Sequence, residues 1–282
     1  MKHKITLFLA TIISVFHISS CEMLDIDSGD GLSTAEVVEG LKKALEIGTD
    51  TATNVLSVRD GYYGNSRLKI PLPEEAETVR QQINTLTAEV PTLSSYFDFD
   101  DKFEDVVASI NRAAEESAKE AKPIFLSAID SLSIDDGWKI LNGENPAQEL
   151  KFNGFDSIAA THYFQSITQT PLKGIYSPKI DVQLNKNLGL GFSANQAWST
   201  LRNSINTALN TIEGNYYTNL AYQNSGYTVN RIQEESIGDY ATEKALDGLF
   251  VKVGEEEKKI RNNPYNWTVD IIQKVFGSVI EK

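Results

Sequence analysis

The sequence predicts an all-α fold, a single multi-helix, bundle-like domain, and three observations carry that expectation. Apolar residues recur at helical spacing along most of the chain. Helix-starting and helix-stopping residues flank these runs, and neither an alternating strand pattern nor a nucleotide-type glycine loop interrupts them.

The first segment stands outside that domain. Lys2 and Lys4 precede the apolar run Ile5–Ile18, and two small residues lead to Cys21, the only cysteine. A membrane-spanning helix needs roughly 20 apolar residues, so residues 1–20 read as a secretory signal peptide. Ile18-Ser19-Ser20-Cys21 resembles the lipobox of bacterial lipoproteins, and the resemblance implies that Cys21 is acylated and becomes the first residue of the mature chain. Two or three acyl chains hold a protein to a bilayer stably where one does so only marginally. The acidic, Gly- and Ser-containing stretch that follows makes residues 21–32 a tether, ahead of the domain at 33–282. Read from Asp25, this stretch has acids at positions 1, 3 and 12 of a calcium loop, but Asp30 stands where the loop needs glycine.

Helical elements then follow in order. Ser33 with Glu36 spells a capping box, and Val37, Val38, Leu41, Leu45, Ala52, Val55 and Leu56 predict a helix of about 25 residues that stops near Asp60-Gly61. Leu68–Pro73 is an extended connector, since proline restricts the residue before it. Pro73 with Glu74 and Glu75 opens a second helix to about Val90. A third begins after Asp98–Asp101, with Phe103, Val106, Val107, Ile110, Ala113 and Ala114 on one face; Pro123 marks a break or restart before Ile124–Leu132. Ser133–Asp136 starts a short helix carrying Trp138, Ile140 and Leu141 and ending at Asn142-Gly143. Ile158–Ile167, Leu172–Leu188 and Ala194–Ile212 are helical candidates with weaker periodicity, and 214–235 reads as a loop or a poorly packed excursion. From Asp239 a helix of about 20 residues carries Tyr240, Leu246, Leu249, Phe250, Val253 and Ile260, with Glu255/Lys259 and Glu257/Arg261 as exposed i,i+4 pairs. Asn263-Pro264 breaks it, and Trp267–Ile280 is the last helix.

Composition narrows the function. The formal charge is −13, and removal of residues 1–20 takes away two lysines and no acid, making the chain more negative still. Such a surface excludes nucleic acid and electrostatic adhesion to anionic lipid, both of which need clustered Lys and Arg. With Cys21 acylated there is no disulfide framework and no thiol chemistry. His3 and His17 leave with the signal peptide, so His162 is the one histidine of the mature chain; a multi-histidine zinc site or a di-iron bundle site is not available within one chain. A Ser-His-acid hydrolase using His162 stays open by count, yet no Gly-x-Ser-x-Gly elbow accompanies it. Asp100/Asp101, Asp135/Asp136 and Glu255–Glu257 are candidate acid–base or cation groups, set against helix N-termini and a solvated face. Tyr62-Tyr63, Tyr163-Phe164 and Tyr216-Tyr217 are candidate pocket residues, with one member of each pair expected in the core. No catalytic residue, cofactor or metal site is assigned, and Cys21 is the one site residue, for lipidation.

Several blocks together carry a family resemblance: GLKKALEIGTDTATNVLSVRDGYY (Gly40–Tyr63), LKIPLPEE (Leu68–Glu75), NRAAEESAKEAKPIFLSAID (Asn111–Asp130), ILNG (Ile140–Gly143), AATHYF (Ala159–Phe164) and DYATEKALDGLFVKVGEEEKKIRNNP (Asp239–Pro264). The chain resembles the domain-of-unknown-function 4197 family, bacterial secreted proteins and lipoproteins with helical domains, over most of residues 40–276. It departs from that pattern at 146–157 and 205–235, where it is longer. The resemblance implies an exported helical domain and supplies no activity to carry over.

The expected location is the cell envelope, lipid-anchored to a bacterial membrane, periplasmic or outer-membrane associated. The first functional reading is a non-enzymatic helical binding or scaffold module whose partners are the membrane, through lipid on Cys21, and an envelope protein. The alternative is a carrier of a small apolar ligand or lipid between helices, along faces such as Val106/Ile110 and Leu246/Phe250. A hydrolase using His162 is the third.

Overall fold

The computed structural model describes residues 31–146 and 154–280. Nine α-helices and two short 3-10 turns account for the regular structure among the described residues, and no strand occurs there. The predicted all-α architecture is therefore the observed one. The readings of residues 1–30, including the signal peptide and Cys21, lie outside the described residues.

Helix α1 (Thr34–Leu56) starts where the capping box places it: Ser33 accepts from the Glu36 amide, and Glu36 accepts in return from the Ser33 amide at 2.9 Å. Its small residues Gly40, Ala44, Gly48 and Ala52 are all buried along one side. Two later helices approach closely there. A Cβ on Gly40 would stand 2.7 Å from Val275 of α9 (Asp270–Ile280), and one on Gly48 would stand 3.0 Å from Val253 of α8 (Gly238–Asn262). Leu32, just ahead of the cap, is also buried in the core.

Helix α2 (Glu74–Glu89) begins after Pro73 with three acids in its first turn, where the helix dipole favours them. A 3-10 turn at Pro91–Tyr96 leads to α3 (Asp100–Ser131), the long central helix. Pro123 does not break it, contrary to the sequence reading. The absence of a break between Ile167 and Leu172 is a second difference, for α5 (Ala159–Leu184) runs continuously through Pro171 and Pro178. An interior proline costs about 3 kcal/mol through one lost hydrogen bond and a local clash. Here Phe125, Ile129, Leu172, Tyr176 and Ile180, all buried beyond those prolines, offset that cost.

α3 and α5 run antiparallel. Phe125 meets Phe164 with ring centroids 5.8 Å apart, and Ser117 bonds the Tyr176 hydroxyl at 3.0 Å. Phe250 of α8 completes the cluster at 5.2 Å from Phe125 and 5.6 Å from Phe164. The short α4 (Gly137–Leu141) packs its Gly137 against Val37 and Val38 of α1.

Helix α6 (Ala194–Gly214) opens on a second capping box, Ser193 with Gln196. It is followed by α7 (Tyr216–Ser225), which corrects the loop expected at 214–235 over its first half. Asn215 caps its first amides and Gly226, at φ +74°, ends it in the left-handed conformation that glycine adopts freely. Only Tyr222 of α7 is buried, so the segment has no apolar periodicity to detect. The remainder, 226–237, is irregular and held by side chains: Glu75 accepts from the amides of Gln233 at 2.7 Å and Glu234 at 3.1 Å.

One ion pair closes the α1–α9 contact and makes a pH prediction. Lys274 donates to Glu36, and this bond, with the Ser33 amide, lowers the Glu36 carboxyl from its ordinary 4.5 to about 2. A carboxyl depressed in the folded state contributes stability above its unfolded value and loses it as pH falls through the folded one. The stability advantage of the protein over Lys274→Gln is therefore constant above about pH 5 and shrinks from there toward pH 2. An NMR titration checks it: the Glu36 midpoint rises toward 4.5 in Lys274→Gln, and an unmoved midpoint refutes the pairing.

Candidate functional site

The acidic candidates were expected on helix ends and solvated faces, and two of the most buried acids are instead joints of the fold. Glu257 was read as part of an exposed Glu run; it is 0 % exposed. Its Oε2 accepts from the Thr161 amide at 2.7 Å and the Thr161 hydroxyl at 2.6 Å, and its Oε1 from the Ala160 amide at 3.0 Å. Those amides are the free first donors of α5, so a carboxylate on α8 caps another helix. Arg261, one turn on, donates to Glu257 at 2.8 Å and to the carbonyls of Leu141 at 2.7 Å and Ile140 at 2.9 Å, closing the C-terminal end of α4. The pair spans two helix ends with charges of the sign each end favours. Glu255 is partly exposed, but its partners are Lys252 and Arg67 and not the predicted Lys259.

A second joint ties the 57–72 connection to α3. Glu115, 3 % exposed, accepts from the amides of Tyr62 at 3.2 Å and Tyr63 at 3.0 Å and pairs with Arg112 at 2.6 Å. Arg112 also reaches Asp60, which sits at φ +69° in the turn. Asn111, fully buried, exchanges two bonds of 2.8 Å with the amide and carbonyl of Ile70. Tyr62 is buried and donates to the Ala245 carbonyl at 2.6 Å.

His162 lies in the first turn of α5. Its Nδ1 is 2.7 Å from Asp156 Oδ2, while the other oxygen of Asp156 accepts from the Ile158 amide at 3.0 Å. The dyad clips the entering loop to the helix, and no hydroxyl bonds the ring among the described residues. Asp135 and Asp136 bond Ser133 and Lys139 at the exposed entry to α4. Asp100 and Asp101 open α3. Among the described residues no three His, Cys, Asp or Glu side chains gather as metal ligands.

The aromatic pairs divide. Tyr62 and Phe164 are core members as expected, but Tyr216 and Tyr217 are both exposed, at 74 % and 79 %, stacked edge to face at 5.4 Å. The faces expected to line a pocket, Val106/Ile110 and Leu246/Phe250, are packed into the core.

Open apolar space lies elsewhere, in a groove of about 580 Å³ between the C-terminal half of α3 and the first half of α5. Pro123, Ile124 and Ala128 form one wall and Ile167, Pro171 and Ile175 the other, closing at Leu132. The groove was missed because α5 carries two apolar faces. Phe164, Leu172, Tyr176 and Ile180 turn to the core, while Ile167 and Ile175, 47 % and 58 % exposed, flank that stripe about 100° round the helix from the buried Thr168 and Tyr176. A second apolar strip beside the first broadens and blurs the one-sided pattern that marks an amphipathic helix. No described helix is long and apolar enough to cross a membrane.

No curated protein and no solved structure matches the chain. Residues 31–277 match the family model described as protein of unknown function, DUF4197. The match takes in every described helix up to α9 and both polar joints, and on it the chain belongs to the DUF4197 family.

Proposed function

We propose that the protein is a bacterial cell-envelope lipoprotein, attached to a membrane through acyl chains on Cys21, whose helical body works by binding or scaffolding and not by catalysis. Support for the anchor is the sequence Ile18-Ser19-Ser20-Cys21 behind a positively charged start and an apolar run. Support for binding is the use made of the reactive groups. His162 Nδ1 is held by Asp156, the buried carboxylates of Glu115 and Glu257 accept backbone amides, and none of the three lines the α3–α5 groove. The single observation that carries the reading is this consumption of buried acids in helix joints.

A second reading, a carrier of a small apolar ligand, is favoured by the groove between α3 and α5, whose volume falls within the range of small-ligand sites. Metabolic labelling with an alkyne fatty acid tests the anchor. The wild-type chain takes up label and Cys21→Ala takes up none; equal labelling of both, or of neither, overturns it.

A further inference from the structure

We propose that the α3–α5 groove binds one acyl chain of a lipid from the bilayer to which the protein is tethered. The inference deepens the carrier reading above and takes its placement from the Cys21 anchor.

The chemistry of the groove selects an uncharged occupant. In a chain with 23% charged residues, none of the groove's lining residues is Asp, Glu, Lys or Arg. Two of its four hydroxyls are turned away, Ser131 donating to the Ser127 carbonyl and Thr168 to the Phe164 carbonyl, each four residues back in its own helix, and a third, Ser133, donates to Asp135. A hydroxyl so occupied presents its carbon side. Beyond the groove, exposed Pro178 and Val182 continue the line set by Ile167, Pro171 and Ile175 along one side of α5. From 167 to 182 that line is about 22 Å long at 1.5 Å per residue. A narrow apolar strip of this length suits an extended hydrocarbon chain, which asks for no hydrogen bonds. A peptide segment would bring backbone polar groups that this lining leaves unpaired.

Position points to the bilayer as the source. The Leu132 end of the groove lies beside the first turns of α1, where Gly137 packs on Val37 and Val38 and Lys42 donates to the Asp130 carbonyl. The chain from residue 22 to 31 spans at most about 35 Å. With Cys21 held in a membrane, this end of the domain stays within that reach of lipid, and tethering at such a distance gives a high effective concentration.

The test uses the full chain reconstituted in phosphatidylethanolamine and phosphatidylglycerol vesicles doped with a phosphatidylcholine that carries a diazirine on one acyl chain. After illumination, label concentrates on peptides covering 123–133 and 167–175, and Ile167→Glu and Ile175→Glu each lower it by about tenfold or more, since a carboxylate resists burial against hydrocarbon. Both substitutions are at exposed positions and leave the helical circular dichroism unchanged. Label spread evenly over the surface, label on the groove that both variants leave intact, or an unlabelled groove refutes the proposal; the last is also the result if the chain's own acyl group or a protein partner fills the site. Failure of the anchor reads out separately, as loss of alkyne label from Cys21 while a purified chain mixed with the same vesicles still crosslinks through the groove.

Discussion

Replacing Glu257 by glutamine lowers the stability of the domain by about 3–5 kcal/mol, the range for removing one partner of a buried ion pair. The geometry says why this residue is so sensitive. The carboxylate holds four donors at once: the Ala160 amide, the Thr161 amide and hydroxyl, and the Arg261 guanidinium. Glutamine keeps one oxygen and turns an NH₂ either toward both the Ala160 amide and Arg261 or toward the Thr161 amide, so at least one donor faces a donor in a site with no water access. Arg261→Met is comparably costly, because it strands the Glu257 charge and leaves the Leu141 carbonyl without its donor and the Ile140 carbonyl with the Gly143 amide alone. Urea unfolding of both single variants and the double variant checks this, and the double costs less than the sum. It still costs something, since the ends of α4 and α5 stay uncapped in it. Glu255→Gln is the internal control: its pairs with Lys252 and Arg67 are partly exposed, where an ion pair contributes about 0–1 kcal/mol. Equal losses at 255 and 257 refute the joint.

The contrast between those two glutamates also shows what the sequence can reveal. Both have a cation four residues later, so the charge pattern treats them alike. What separates them is phase: Glu257 lies four residues after Val253 and three before Ile260, on the stripe that faces the core, and Glu255 does not. A charge in register with an apolar stripe is a readable signal for a buried joint. The same logic covers the other differences. The S-x-x-Q box at Ser193 and the Asn215 and Gly226 pair around α7 were present as caps, but α7 buries one side chain, so periodicity had nothing to report. The interior prolines misled because a local cost was weighed without the burial that offsets it. The groove was illegible for a different reason, that its existence depends on which faces of α3 and α5 remain unpartnered after packing.

The blocks that carry the family resemblance meet in the polar joints. Tyr62, Tyr63, Ile70 and Glu115 come from three of them, and Ile140, Ala160, Thr161, Glu257 and Arg261 from three others. These are segments far apart in sequence whose backbone groups are buried without a helical partner, and each needs one particular side chain from elsewhere. Such positions specify the fold more tightly than an apolar contact does, for hydrophobes of similar volume exchange freely and hydrogen-bond partners do not.

Asn111→Leu brings the second large loss, about 2–6 kcal/mol. The amide side chain imitates a strand partner for Ile70, accepting from its N–H and donating to its C=O at 2.8 Å each, and it also reaches the Val107 carbonyl at 2.7 Å. Leucine matches asparagine in size and satisfies none of these. Each buried backbone group left unpaired costs about 1–3 kcal/mol, and Ile70 loses both of its bonds. Asn111→Asp separates hydrogen bonding from packing. Ionised aspartate still accepts from the Ile70 amide, but it places a charged oxygen against the Ile70 and Val107 carbonyls. Burial and those two oxygens push its carboxyl above the ordinary range. A group raised in the folded state is stabilising once protonated, when its O–H donates to a carbonyl, so the deficit of Asn111→Asp relative to wild type is greatest at neutral pH and narrows as pH falls. Asn111→Leu carries no titrating group, and its deficit stays constant over the same range. Urea midpoints of the three proteins measured at several pH values decide the matter: parallel curves for the aspartate and leucine variants eliminate the two-way bond to Ile70 as the cause, and a converging aspartate curve establishes it.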